Sequence, residues 1–230
     1  MTDSKIIVAL DYADKAQALN FVDRITPDRC KLKVGKEMFT RFGPGFVEQL
    51  VGKGYQVFLD LKYHDIPNTV ARACEAAADL GVWMVNVHAA GGRAMMTTAK
   101  EALVNYSHQP LLISVTILTS LSEEEVVEIG YTDSIENQVK RFALLAEDCG
   151  LDGVVCSPKE IEILRQSVGV DFQLVTPGIR PASASVDDQK RIMTPDQAIS
   201  TGASYLVIGR PITKAEDPIA VLDSIAVSLK

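Results

Sequence analysis

Apolar runs of strand length recur along this chain, and amphipathic stretches with helical spacing separate them. Runs at 5–10, 30–35, 55–61, 82–88, 111–118, 153–156, 172–176 and 205–208 predict eight strands. Helical spacing predicts helices over 13–25, 36–52 with a break near Gly43-Pro44-Gly45, 67–80, 91–104, 122–129 and 134–149. Further helices are predicted from Ser157-Pro158, over 194–201 and from Pro211 through Leu229. Pro67, Pro158, Pro195 and Pro211 stand at helix starts, where a missing N–H leaves no bond unmade. The strands are near-continuous in apolar residues, the pattern of a parallel sheet covered on both faces. Eight strand–helix units in 230 residues predict one α/β domain over 1–230, a (β/α)8 TIM barrel. An open doubly wound sheet is the alternative, and the regular eightfold repeat favours closure.

Composition narrows the function. The chain is 47% hydrophobic and carries a net charge of −7, which makes a duplex nucleic-acid binder a poor reading. No apolar run approaches the ~20 residues of a membrane span. The first eleven residues read as a strand ending in a charge, not a signal peptide. Cys30, Cys74, Cys149 and Cys156 form no Cys-x-x-Cys pair, so buried reduced thiols in a cytoplasmic protein are expected. Neither a Gly-x-Gly-x-x-Gly nor a Walker-type sequence is present, so neither dinucleotide nor nucleoside triphosphate is implied.

The candidate chemistry lies at the C-terminal strand ends, where barrel active sites gather. The stretch Asp60-Leu61-Lys62-Tyr63-His64-Asp65 brings acid, base and acid within six residues. Strand alternation predicts that Asp60 and Lys62 share a face, with Asp65 in the loop beyond. Burying such charges is costly unless they are paired. The other strand ends offer Asp11, Lys33, His88, Thr119, Arg180 and the pair Gly209-Arg210. Lys31 and Lys33 have the same parity, and Asp11 and Asp60 are the expected partners of Lys33. Val207-Ile208-Gly209-Arg210-Pro211 combines a small residue, a forked cation and a helix start, which suits phosphate. Residues 177–191 are too long for an ordinary connection and read as a lid. His64 is expected to point away from the site, and His88 to be structural rather than a metal ligand.

Together these segments resemble the orotidine 5′-phosphate decarboxylase family, in its bacterial form. The resemblance rests on Asp60-x-Lys62-x-x-Asp65-Ile66-Pro67-Asn68-Thr69. It extends through Ala9-Leu10-Asp11, Leu32-Lys33-Val34-Gly35, Val115 to Ser120, Thr176 to Pro181 and Ile208-Gly209-Arg210-Pro211. It implies loss of CO2 from orotidine 5′-monophosphate to give uridine 5′-monophosphate, the last step of de novo UMP synthesis. Neither metal nor organic cofactor is implied. Lys62 would protonate the C6 carbanion, with Asp60 and Asp65 keeping it charged until then and Lys33 completing an alternating array. Asp11 and Lys33 would hold the ribose, and Thr119 the pyrimidine. Gly209 and Arg210 would hold the phosphate, with Arg180 supporting and Gln189 bridging phosphate and base. The family forms homodimers, so Asp65, Ile66 and Thr69 are expected at the substrate, with Asp65 and Thr69 reaching the neighbouring subunit's site.

Two other readings compete. A metal-dependent sugar-phosphate decarboxylase or epimerase on the same barrel needs an acidic or histidine ligand near an early strand end, where this chain has Lys33. A non-catalytic phosphate sensor would keep Arg210 but has no use for Lys62 between two acids.

Overall fold

The strand runs pair in parallel and in chain order, and the last pairs with the first. The strands are β1 (Ile6–Leu10), β2 (Lys31–Gly35), β3 (Val57–Tyr63), β4 (Met84–His88), β5 (Leu111–Val115), β6 (Gly153–Val155), β7 (Gln173–Pro177) and β8 (Tyr205–Ile208). The computed structural model describes residues 4–181 and 193–229. The helices are α1 (Lys15–Val22), α2 (Lys36–Phe42), α3 (Pro44–Gly52), α4 (Pro67–Asp79), α5 (Gly92–Leu103) and α6 (Glu123–Glu128). They continue with α7 (Ile135–Asp148), α8 (Ile161–Arg165), α9 (Pro195–Thr201), α10 (Arg210–Thr213) and α11 (Pro218–Ser228). The closed (β/α)8 barrel expected from the eightfold pattern is therefore present.

Two packed layers hold it together. Outward residues such as Val8, Leu32, Val85 and Leu206 are buried against the helices. Inward residues Ile7, Phe58, Met84, Ile113, Val175 and Val207 fill the barrel itself. Each large apolar side chain so buried contributes roughly 1.5–3 kcal/mol. At the N-terminal end the plug is aromatic and cationic. Lys31 Nζ lies 5.0 Å from the Trp83 ring and 5.2 Å from Tyr205, and donates to the Ser4 carbonyl at 2.5 Å. Gly153 is required where β6 meets β7, because a Cβ there would lie 2.3 Å from the Gln173 carbonyl oxygen.

Several boundaries differ from the apolar pattern. Tyr55, Val82 and Phe172 are buried before their strands begin. Tyr55 instead donates its hydroxyl to the Val22 and Ile25 carbonyls, anchoring a helix–strand connection. The fifth strand stops at Val115 rather than Leu118; Thr116 leaves the ladder and donates its Oγ1 to the Val155 carbonyl at 3.2 Å. The helix expected from Pro211 to Leu229 is two helices. Asp217 precedes Pro218, adopts extended geometry and caps α11 by accepting from the Ala220 N–H. A residue before proline is disfavoured in the α region, which explains the break. All four cysteines are free and buried, and burial pushes the Cys30, Cys74 and Cys156 thiols up to about 12, leaving them protonated.

Candidate active site

The C-terminal ends of the strands surround a cavity of about 360 Å³. That size lies in the usual range for a small-molecule site. Its floor is apolar, from Ala9, Phe58, Val155, Val175 and Val207. Its rim carries Asp11, Lys33, Asp60, Lys62, Thr119, Arg180, Gly209 and Arg210, so eight residues singled out from the sequence meet in one place.

Charge is concentrated on one side of the rim. Asp60 accepts from Lys62 Nζ at 2.5 Å on Oδ1 and faces Lys33 Nζ at 3.3 Å on Oδ2. Lys33 also lies 3.9 Å from Asp11. Burial of the Asp60 carboxyl raises its pKa, but the two lysine charges and hydrogen bonds from Lys62 and Asn86 outweigh it. The net shift is downward, so Asp60 is an anion. The array is therefore cation–anion–cation, with Asp11 extending it toward solvent.

Lys62 reaches this position by a route that strand alternation does not predict. It has φ of +55°, the left-handed region, and the β3–β4 register shifts between Leu59 and Tyr63. A bulge of this kind re-aims a side chain. A non-glycine residue there is strained by roughly 1–3 kcal/mol and persists only when its surroundings hold it. The strand also runs to Tyr63, two residues past the expected end.

Asn86 is the residue that reasoning from the sequence missed. It is fully buried on β4, has the inward parity of Met84, and donates Nδ2 to Asp60 Oδ1 at 2.8 Å. Its Oδ1 accepts the Lys62 backbone N–H, also at 2.8 Å. The available signal was a single amide in a strand otherwise apolar up to His88.

On the opposite rim, Gly178 has φ of +80°, a conformation that selects glycine, and leads into Ile179 and Arg180. Arg180 is buried, and its backbone N–H donates to the Met193 carbonyl at 3.0 Å. A Cβ on Gly209 would lie 3.6 Å from Ala9 Cβ and 3.8 Å from Asp11 Oδ2, so its absence leaves room beside the rim. Gln189 lies outside the described residues.

Asp65, Ile66 and Thr69 are exposed and do not line this chain's cavity. Asp65 Oδ1 accepts its neighbour Ile66 N–H at 2.6 Å, and Ile66 is 67% exposed. His64 also lies off the cavity, its ring 5.4 Å from that of His88. Burial, followed by the nearby His64, Lys36 and Lys62, pushes His88 down to about 4 against the opposite pull of Asp60. Among the described residues no three His, Cys, Asp or Glu side chains converge as a metal cluster.

The family model described as "Orotidine 5'-phosphate decarboxylase / HUMPS family" matches residues 4–225. The chain belongs to that family. Among its relatives, the orotidine 5′-phosphate decarboxylase of Aliivibrio fischeri (strain MJ11) is 59% identical over 230 residues, covering 100% of this chain and 98% of the relative. That of Actinobacillus pleuropneumoniae serotype 5b (strain L20) is 60% identical over 229 residues, covering 99% and 100%. The crystal structure of orotidine 5′-phosphate decarboxylase from Lactobacillus acidophilus matches with a TM-score of 0.89 and 39% identity, covering 99% of this chain and 100% of that one. Family membership agrees with the resemblance read from the Asp60 to Thr69 segment.

Proposed function

We propose that this protein is an orotidine 5′-phosphate decarboxylase, releasing CO2 from orotidine 5′-monophosphate to form uridine 5′-monophosphate. The observation that carries the reading is the Lys62 ammonium, held 2.5 Å from Asp60 at the rim of an apolar-floored cavity. Full-length similarity to decarboxylases of that name supports it. In this reading the activity is the last step of UMP synthesis, in a cytoplasmic enzyme.

The chemistry follows from the charges. The C6–carboxylate bond breaks, CO2 leaves, and the electron pair remains on C6. Lys62 Nζ then delivers a proton to that carbon, giving the product and a neutral amine. Lys33 and Lys62 favour developing negative charge at C6, and fixed charges need no reorganisation when it forms. Asp60 holds both lysines in place through its two carboxylate oxygens. Asp11 and Lys33 bind the ribose hydroxyls, Thr119 reads the base, and Arg210 with Gly209 takes the phosphate, supported by Arg180 and Gln189. Binding of the phosphate, remote from C6, is used to align the ring. No metal or organic cofactor takes part in this scheme.

Asp65, Ile66 and Thr69 act from the partner subunit of a homodimer. Their exposure and their absence from this chain's cavity lining support that placement. An absorbance assay with orotidine 5′-monophosphate and excess chelator tests the reading. Full turnover is expected; an untouched nucleotide, or activity that requires an added divalent ion, would overturn it.

A further inference from the structure

Asp60 and Lys62 share a third partner that the scheme above does not use. Asn86 makes one hydrogen bond to the Asp60 carboxylate and one to the Lys62 backbone, each 2.8 Å long. The carboxylate can only accept and the backbone N–H can only donate, so only one orientation of the amide satisfies both. The two bonds have different consequences. The first fixes the Asp60 oxygen that also receives Lys62 Nζ. The second gives a partner to an N–H at the bulge, where the register between β3 and β4 shifts. It thereby clamps a residue in the left-handed region, and that residue carries the ammonium.

We propose that Asn86 is a positioning residue of the decarboxylase: it locks the Lys62 backbone and the Asp60 carboxylate together, aiming the ammonium at the carbon that becomes anionic. This rests on the decarboxylase reading above. Asn86 touches neither the phosphate nor the ribose groups of the scheme, so it acts on the chemical step rather than on capture. An aliphatic side chain of similar size would leave the Lys62 N–H without this partner and the Asp60 carboxylate with one contact fewer. The charged groups around Asn86 are Asp60 and Lys62 on β3, with Lys33 on β2 beyond Asp60. β5 sets the apolar Ile113 beside it in register, and His88 follows on its own strand.

The test uses full-length wild type, Asn86→Ala and Asn86→Asp, each checked for folding by circular dichroism. Wild-type turnover of orotidine 5′-monophosphate is measured first, since its absence would sink the functional reading and not this one. For Asn86→Ala, kcat is expected to fall on the order of 100-fold, the scale of an ångström-level misplacement, with KM within about threefold of wild type. Asn86→Asp keeps the shape. Its neutral carboxyl can still donate to Asp60, but its ionised form sets two carboxylates against each other. Its kcat should therefore decline as pH rises, along a limb that wild type lacks. A merely structural role would not produce that limb. Wild-type kcat in the folded Ala variant, or a wild-type pH profile in the Asp variant, would overturn the proposal. So would loss of fold in both, which would assign Asn86 to stability alone.

Discussion

Lys62 is the only non-glycine among the described residues with positive φ, and its ammonium lies 2.5 Å from the carboxylate of Asp60, two residues earlier. Strain and charge pairing coincide at one position. Strain of this kind is retained where the surroundings over-determine it, and it clusters at active sites. The first prediction follows. Lys62→Ala should reduce turnover by roughly 10⁴-fold or more, at or above the upper range for a positioned proton donor. The variant should remain folded, since Lys33 still faces Asp60 at 3.3 Å. Turnover near wild type would remove Lys62 from the role of proton donor.

Arg210 sits across the cavity from that pair and is largely exposed. Its loss should act on substrate capture. Arg210→Ala is expected to lower kcat/KM roughly 10- to 150-fold, equivalent to about 1.5–3 kcal/mol for a charged hydrogen bond, mostly through KM. Steady-state kinetics over a wide substrate range separates the two parameters. An unchanged kcat/KM would dismiss Arg210 as the phosphate ligand.

Asp65 gives a prediction about assembly. If it serves the partner's cavity, Asp65→Ala and Lys62→Ala homodimers are each inactive, yet a mixed dimer contains one site with both wild-type residues. Random reassociation should restore about a quarter of wild-type activity, since half the dimers are mixed and each holds one intact site. Mixing under dissociating conditions followed by assay reads this directly. No recovery despite demonstrated subunit exchange would place Asp65 outside the partner's site.

His88 makes stability depend on pH. Its folded pKa is about 4, against 6.5 for the free side chain. Above pH 6.5 both states are neutral and nothing changes. As pH falls from 6.5, the unfolded chain takes up a proton that the folded protein refuses, so stability declines and the full loss is reached below about 4. His88 is only half-buried, and solvent screening limits the effect to roughly 1 kcal/mol, or ~2–4 °C in Tm. Asp60 is also shifted downward, from 3.8, but a lowered pKa on an acid adds stability, so its contribution holds throughout this window and is lost only at lower pH. His88→Asn should flatten the Tm profile between pH 6.5 and 4; a slope equal to wild type would contradict the assignment.

The barrel was legible because a parallel strand covered on both faces is written as an unbroken apolar run. The charged rim was legible for a complementary reason: Asp60, Lys62 and Lys33 interrupt such runs at their ends. Lys62 itself shows the limit. No glycine or proline marks the bulge, so alternation placed it on the right face for the wrong reason. Asn86 was hidden because one amide in an apolar strand carries no sign of its partners, which come from another strand 24 and 26 residues away. The break before Pro218 was written in the sequence, as the mostly polar run Thr213 to Asp217 ahead of a proline.

The clasp of Lys31 between Trp83 and Tyr205 has a consequence for traffic. Among the described residues, the barrel's lower end is stoppered and its middle filled, so the cavity opens at the C-terminal ends of the strands. On the decarboxylase reading, substrate entry and the exit of both products then share the open face at the C-terminal strand ends.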